Sequence, residues 1–300
     1  MSNSITLVQK MLPLLDEVYK ASAKSSGLEA PAEFVRESAD ANSVKIAKEA
    51  LVGLGNYSKT NGYPAGDITL TWENHQFTND RGRRFSIDRM DNVESFGLVA
   101  ARLVGDFMRQ YVIPEVDAYR FAKIASNATT TVAANLTSST TKAALDTAIV
   151  ALQEKEVDDN NMVIFMTPTV AQHLSDNITR TTINGDKNVN NIIETYNGIQ
   201  IVRVPQTRFY SKITLDAGAA TNAGGYSKTQ ASTGVTAGKN LNFIVMDRGA
   251  CYNVTKLNVA KIFTPDENQS KDAWQFDFRL YHDTFVLDNK KDGIYVHTAS

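Results

Sequence analysis

The stretch DNVESFGLVAARLVGDFMRQYVIPEVDAYRFAKIASNA, residues 91–128, decides the fold. Apolar residues recur in it at steps of three or four, the spacing of one buried face on a helix. The residues on this face are Phe96, Ala100, Leu103, Phe107 and Tyr111. Further apolar residues widen the face, which indicates packing on more than one side. A single helix here would be roughly 50 Å long at 1.5 Å per residue, so we predict a strut or a coiled-coil arm.

Pro114 interrupts this helix. Proline removes a backbone donor and costs about 3 kcal/mol in a helix interior. Two alternatives stay open: a kinked single helix, or a break with Pro114 at the first position of a second helix. The apolar pattern resumes at Val116 and Tyr119, which favours the kink. Arg120 and Lys123 follow near the far end, where cations stabilise the helix dipole.

The composition is that of a folded protein without a strong charge bias. The 300 residues are 42% hydrophobic and 21% charged, with a net charge of -2. Nucleic-acid-binding proteins usually carry a basic surplus, so a dedicated nucleic-acid binder is not expected. Cys251 is the only cysteine, which excludes an internal disulfide framework and indicates a reducing compartment. We expect no signal peptide, and no apolar run is long enough to span a membrane.

The segments before the long helix are predicted to reach outward. Residues 5–23 have the pattern of an amphipathic helix, a polar arm follows to residue 41, and residues 44–47 have the pattern of a strand. Farther along, ITLTWENHQFT and RRFSIDRMD alternate like strands, and NDRG between them has the composition of a hairpin turn. We therefore predict a two-stranded hairpin within residues 55–90, which is marginally stable alone and needs a partner surface.

The second half of the chain is predicted to contain a small α/β layer followed by β structure. TTTVAANLTSSTTK has the composition of a linker, residues 143–157 form an amphipathic helix, and MVIFM at 162–166 is a buried strand. Thr167 or Thr169 begins a further helix, and residues 198–204 form another strand, which completes the layer. Residues 215–239 are predicted to be a surface loop, and the segments after residue 250 alternate as strands.

No pattern in the sequence indicates catalysis, a cofactor or a metal. The four histidines, His75, His173, His282 and His297, lack a metal-ligand spacing. His282 and Asp283 are adjacent in a strand pattern, so their side chains should point to opposite faces. Cys251 lies in an apolar strand and is expected to be an inert core residue. The sequence therefore predicts an architectural protein built to interlock with copies of itself.

Three long segments, in order, carry a resemblance to a known family. They are WENHQFTNDRGRRFSIDRMDNVESFG, FMRQYVIPEVDAYRFAKIA and YHDTFVLDNKKDGIYVH. Together they resemble major capsid proteins of tailed bacteriophages, which have the Hong Kong 97-like capsid fold. The most specific parts are the D-R-G-R-x-F-x-I-D-x-M-D segment and the V-x-P-E-x-D-A-Y-R-F-A-K helix. The resemblance covers nearly the whole chain.

The resemblance implies an α+β fold divided into the parts of that family. Residues 1–54 would be the N-terminal arm, and residues 55–90 the extended hairpin loop that lies across a neighbouring subunit. Residues 91–142 and 251–287 would be the peripheral domain with its spine helix. Residues 143–250 and 288–300 would be the axial domain, which surrounds the centre of pentamers and hexamers.

The function implied is structural. The chain would self-assemble through pentamers and hexamers into an icosahedral shell around double-stranded phage DNA, without catalysis. The expected partners are other copies, a portal and a separate scaffold protein, with a decoration protein as a further candidate and DNA contacted only weakly. The shell would be a virion capsid assembled in the bacterial cytoplasm. An encapsulin-like compartment holding cargo enzymes is one alternative, and a small α/β hydrolase is another.

The candidate site residues fall into three groups. The candidates for inter-subunit contact are Tyr63, Trp72, Phe77, Arg81, Arg83, Arg84, Phe85 and Arg89. The arginines among them interleave with aspartates and form either a solvated hairpin end or a charged patch for a neighbour. The predicted core of the spine helix is Phe96, Leu103, Phe107, Tyr111 and Pro114. Some family members join subunits by a Lys–Asn isopeptide bond, so Lys59 in the loop is a cross-link candidate, with an ordinary surface lysine as the alternative.

Overall fold

The computed structural model describes residues 23–29, 35–37, 43–60, 62–90, 105–177, 194–218 and 223–300. Within these residues, a six-stranded sheet and a three-stranded sheet form the body, and a helix lies across both. The predicted helix at residues 5–23, apart from its last residue, lies outside the described residues. So do residues 91–104 of the predicted strut, including Phe96 and Leu103. No helix in the described ranges is long and apolar enough to cross a membrane.

The six-stranded sheet contains the predicted α/β layer. Its strands in spatial order are β5 (Thr130–Ala133), β14 (Ile294–Thr298), β11 (Leu241–Asp247), β6 (Met162–Met166), β8 (Ile199–Arg203) and β7 (Thr195–Tyr196). Strand β6 pairs in parallel with β8, as a strand–helix–strand unit requires. All five residues of β6 are buried, which confirms the prediction for MVIFM.

Helices cover both faces of this sheet. Helices α2 (Ser138–Gln153) and α3 (Pro168–Asn177) pack on one face. Thr167 precedes α3, and its Oγ1 accepts a hydrogen bond from the Val170 N–H at 3.4 Å, which caps the helix as predicted. The other face packs against Phe121 and Ile124 of the long helix.

The three-stranded sheet consists of long antiparallel strands. They are β12 (Cys251–Phe263), β13 (Ala273–Val286) and β4 (Asn79–Asp88), with β13 in the centre. Its inner face carries Phe276, Phe278 and Leu280, which pack against Met108 and Val116 of the long helix. The long helix therefore joins the two sheets, because its earlier part packs on one and its later part on the other.

The described part of the long helix is continuous through Pro114. Helix α1 (Ile113–Asn127) is preceded by a π-helical turn at Met108–Val112, in which the Ile113 N–H donates to the Met108 carbonyl. The structure therefore decides against a break. The π-turn inserts an extra residue, so the face that begins at Phe107 continues at Val112 and not at Tyr111. Tyr111, predicted to be a core residue, is 60% exposed.

The predicted pairing of the hairpin within residues 55–90 is wrong. Strand β3 (Ile68–Gln76) pairs with β2 (Ser43–Leu51), and β2 pairs in turn with the short β1 (Val35–Glu37). Strand β4 belongs to the other sheet and pairs with β13. The NDRG segment is therefore the start of a strand and not a turn. Gly82 instead allows β4 to lie close to β13, because a Cβ there would be 2.8 Å from the Phe278 carbonyl oxygen.

Two segments predicted to lack regular structure contain strands. The linker TTTVAANLTSSTTK includes β5, which extends the six-stranded sheet in parallel with β14. The predicted surface loop includes β9 (Ile213–Asp216) and β10 (Gly225–Lys228), which form an antiparallel hairpin. Small and hydroxyl-bearing residues in β5 and β10 give little apolar alternation, so their pairing could not be read from the sequence pattern.

Candidate assembly interface

The β2–β3 hairpin is packed against the body only at its base. Val44 and Ile46 are 2% and 1% exposed, and they pack against Phe77, Phe285 and Leu287. Phe77 follows β3 directly and lies between the rings of Tyr281 and Phe285. The base is therefore part of the body's own core.

The far end of the same hairpin is apolar and exposed. We call residues 52–67, between β2 and β3, the tip. Four large apolar side chains of the tip and one at the start of β3 are exposed by 60% or more: Val52, Leu54, Tyr57, Tyr63 and Ile68. Single exposed apolar residues are normal on a protein surface, but a group on one projecting loop indicates a contact surface.

The tip has a defined backbone geometry. Ser58 and Gly62 exchange two backbone hydrogen bonds, at 3.1 and 2.7 Å. Gly62 has a φ of 77°, a conformation that glycine adopts without strain. The rings of Tyr57 and Tyr63 lie 5.0 Å apart on either side of this turn. The aromatic pair is therefore held in place in the subunit, so little ordering is needed when a partner binds it.

Polar contacts stabilise the strands between base and tip. The Lys48 ammonium lies 2.8 Å from the Glu73 carboxylate, and His75 lies 3.3 Å from the same group. The hydrogen bond that Lys48 donates to the Glu73 carboxylate raises the pKa of Lys48. Trp72 lies on the same strand and is 39% exposed. These contacts fix the two strands against each other, whereas the large apolar side chains of the tip are exposed.

The other predicted contact residues make contacts within the subunit. Phe85 packs against Phe107 and Phe276. Arg84 makes a two-pronged ion pair with Asp277, with both donor–acceptor distances at 2.8 Å. This pairing follows from β4 lying beside β13.

Three further arginines of the predicted patch also bind groups of this chain. Arg81 forms an ion pair with Glu115 at 2.7 Å. Arg89 forms ion pairs with Asp266 and Asp272. Arg83 is exposed and donates to the Gly218 carbonyl oxygen at 3.4 Å. Of the predicted contact residues, Tyr63 and Trp72 lie on the β2–β3 hairpin, as does the exposed cross-link candidate Lys59.

A buried charged cluster on α1 is absent from the sequence-based predictions. The Asp117 carboxylate accepts bonds from the Lys24 N–H (3.0 Å), from the Ser25 N–H (3.2 Å) and from Ser25 Oγ (2.7 Å). Arg208 donates to the same carboxylate at 3.3 Å. Arg120, predicted to be a dipole partner near the helix end, is fully buried and donates to Ser25 Oγ at 3.1 Å. The cluster holds residues 23–29 against the long helix.

The buried titratable groups of the body pack against one another. His282 Nε2 lies 3.0 Å from the Asn79 amide nitrogen, and burial lowers the pKa of His282 to about 3. The Tyr119 hydroxyl donates to Asp283, and the Tyr119 ring packs edge-on to His282. Both neighbours thus contact Tyr119, through its hydroxyl and its ring. Burial also raises the pKa of Cys251 to about 12. Among the described residues, no cluster of three or more potential ligands could hold a metal ion.

Solved structures share this architecture, an α+β body crossed by one long helix, with a hairpin that carries an exposed tip. The chain matches the capsid structure of the cyanophage P-SCSP1u with a TM-score of 0.59 and 14% identity, over 88% of this chain and 85% of that chain. It matches the mature capsid of bacteriophage PhiM1 with a TM-score of 0.58 and 12% identity, over 87% and 82%. A structure from Mycobacterium phage Ogopogo matches with a TM-score of 0.55 and 13% identity, over 94% of this chain and 92% of that chain.

These similarities establish the fold. No protein-family model matches the sequence, and no curated protein does. At identities of 12–14%, what the chain shares with these capsids is their three-dimensional arrangement. The α+β capsid fold predicted from the resemblance is therefore confirmed.

Proposed function

We propose that this chain is a major capsid protein of a tailed phage, which self-assembles through pentamers and hexamers into an icosahedral shell around double-stranded DNA. The observation that carries this proposal is the capsid fold, matched over most of the chain. The role is structural and not catalytic. The shell belongs to the virion, and a portal and a separate scaffold protein complete its assembly.

The β2–β3 hairpin supplies the contact that the proposal requires. A heterologous contact repeated around an axis closes into a ring when the rotation between subunits is fixed. The exposed aromatic pair and Leu54 of the tip are the apolar part of that contact, with apolar burial contributing about 25 cal/mol per Å². The net charge of -2 also fits a shell that releases its DNA, because a strongly basic inner surface would bind phosphate tightly.

The assignment of the chain to an arm, an extended hairpin, a peripheral part and an axial part is proposed on the same basis. The extended loop is reassigned to β2 and β3, because these strands pair with each other. Strand β4 joins the peripheral part, since it pairs with β13. The six-stranded sheet then corresponds to the axial part.

Electron microscopy and sedimentation of the purified protein test this function. We expect closed shells or rings of five and six subunits. The variant L54S/Y63S should remain folded, because Leu54 and Tyr63 are exposed by 108% and 88% in the single subunit. It should nevertheless fail to form shells, whereas the tip variant T60A should assemble normally. A wild-type protein that stays monomeric, even with crowding agents, would overturn the capsid function.

A further inference from the structure

Arg81 is held by more acceptors than any other arginine of strand β4. Its Nε and Nη2 donate to the two carboxylate oxygens of Glu115, at 2.7 and 3.2 Å. Its Nη1 donates to the Asp216 carbonyl oxygen at 2.6 Å, and Nη2 also donates to the Gly225 carbonyl oxygen at 3.2 Å. The planar guanidinium is the one side-chain group that can serve this set of acceptors at once.

These acceptors belong to different parts of the subunit. Arg81 itself is on the three-stranded sheet, and Glu115 is on the long helix. Asp216 and Gly225 are opposite each other at the last pair of the β9–β10 hairpin. The chain passes from the six-stranded sheet into this hairpin and then returns to the sheet at β11. There the Leu241 N–H donates to the Phe209 carbonyl at 3.1 Å. One side chain therefore joins the two sheets through the helix and the hairpin.

Side-chain packing does not fix the hairpin at this place. A cavity of about 280 Å³ lies between the hairpin residues Ala217 and Gly224 and the rings of Phe107 and Phe278. A gap of this size removes the van der Waals contacts that would otherwise position the hairpin. The two carbonyl bonds of Arg81, at 2.6 and 3.2 Å, and the longer bond from Arg83 to the Gly218 carbonyl oxygen, at 3.4 Å, then hold the hairpin segment to strand β4.

We propose that Arg81 is the positioning residue that fixes the β9–β10 hairpin against the three-stranded sheet and thereby sets the curvature of the shell. The inference rests on the proposed capsid function. In a closed assembly, the rotation between neighbouring subunits determines the size at which the shell closes. Pentamers and hexamers need slightly different rotations between neighbours, and a subunit whose hairpin is held in one position limits the range of these rotations, so its shells are expected to have one diameter.

Strand β4 provides a matched control for the test. Arg84 also forms a two-pronged ion pair with an aspartate, but its partner Asp277 is on the adjacent strand of the same sheet. In R81K, lysine retains the charge for Glu115 and loses the two carbonyl contacts, because an ammonium is a compact point charge. In R84K, only a contact within one sheet is changed. Both variants are compared with the wild type by amide hydrogen exchange on the free subunit and by cryo-electron microscopy of the shells.

We expect R81K to lose exchange protection in β10 but not in β11, and to form shells of several diameters. R84K should match the wild type in both measurements. The inference is overturned if β10 keeps its protection in R81K, if the R81K shells keep the wild-type diameter, or if R84K broadens the diameters equally. If R81K does not fold, E115Q replaces it, because that change weakens the same contact and leaves Arg81 in place. Wild-type protein without shells would instead contradict the capsid function, while the exchange measurement would still test the local contact.

Discussion

The six-stranded sheet and the β2–β3 hairpin differ in how far contacts within the subunit bury their apolar side chains. Strand β6 is buried along its whole length, with helices on one face of its sheet and α1 on the other. The hairpin is buried only at its base, and its tip exposes large apolar side chains. The sheet is therefore stabilised by its own chain, whereas the exposed apolar tip of the hairpin is a surface that another chain can cover.

This difference separates folding from assembly within one subunit. Contacts of the body determine whether the chain folds. Contacts of the tip contribute little to the free energy of folding, so they are available for binding another copy. Substitutions can therefore be chosen that act on one property and leave the other unchanged.

The largest expected effect on the body is at the buried charged cluster. D117A removes the acceptor of Ser25, Lys24 and Arg208, and leaves the Arg208 charge without its ion-pair partner. Removing one member of a buried ion pair typically costs about 3–5 kcal/mol, because the remaining charge is uncompensated. We expect a loss of this size in the free energy of unfolding, measured with urea.

The control for D117A is D277A. Asp277 also pairs with an arginine, but the Arg84 side chain is 67% exposed, and exposed pairs typically contribute about 1 kcal/mol or less. Equal losses in the two variants would show that burial of the Asp117 cluster does not determine the stability of the body.

The second prediction compares substitutions at the base and near the tip of the same hairpin by their effect on the free energy of unfolding. Ile46 is 1% exposed at the base, and Ile68 is 79% exposed near the tip. I46A should lower the free energy of unfolding by about 2–5 kcal/mol, because it removes packed side-chain volume. I68A should stay within about 0.5 kcal/mol of the wild type and weaken assembly instead. The comparison fails if I68A destabilises the free subunit as much as I46A does.

Periodicity predicted the elements of the body well. MVIFM is a run of apolar residues too short for a helix, and it forms the buried central strand β6. The alternation in DAWQFDFRLYHDTFVL likewise corresponds to β13. Both signals are local, because burial on two faces or on one face leaves its period in a single segment.

Strand partners could not be predicted in the same way. The alternation in β3 and β4 identifies two strands but does not specify which strand pairs with which. The chain crosses between two sheets at Phe77 and Thr78, where the Thr78 N–H donates to Asp283 at 2.9 Å. That bond joins residues far apart in sequence, so no turn motif near NDRG could indicate it. The sequence-based prediction therefore paired β3 with β4 as a hairpin, because the composition of NDRG favours a turn.

The charged residues of α1 were also beyond local inference. Asp117 and Arg120 occur on a helix whose other residues are mostly apolar, and Arg120 was interpreted only as a cation near the helix end. Their burial depends on residues 24 and 25, more than ninety positions earlier in the chain. For Tyr111, the helical period itself was altered by the π-turn at Met108–Val112.

The smallest expected effect is on the free energy of unfolding at acid pH. It tests whether groups in the body determine that pH dependence. The pKa of His282 is lowered to about 3, chiefly by burial and then by the charge of Arg120. In the unfolded chain a histidine has a pKa of about 6.5. The folded state therefore excludes a proton that the unfolded state binds, so the contribution is complete above pH 6.5 and is lost as the pH falls towards 3.

Between pH 6.5 and 5, His282 should contribute a slope of up to about 1.4 kcal/mol per pH unit to the free energy of unfolding. The aspartates whose pKa is lowered, such as Asp80 and Asp277, lose their contribution only at lower pH, below their ordinary value of 3.8. H282Q should reduce the slope in urea titrations, and a remainder from His297 is expected, since burial lowers its pKa as well. An unchanged slope in H282Q would show that His282 does not determine the acid sensitivity of the body.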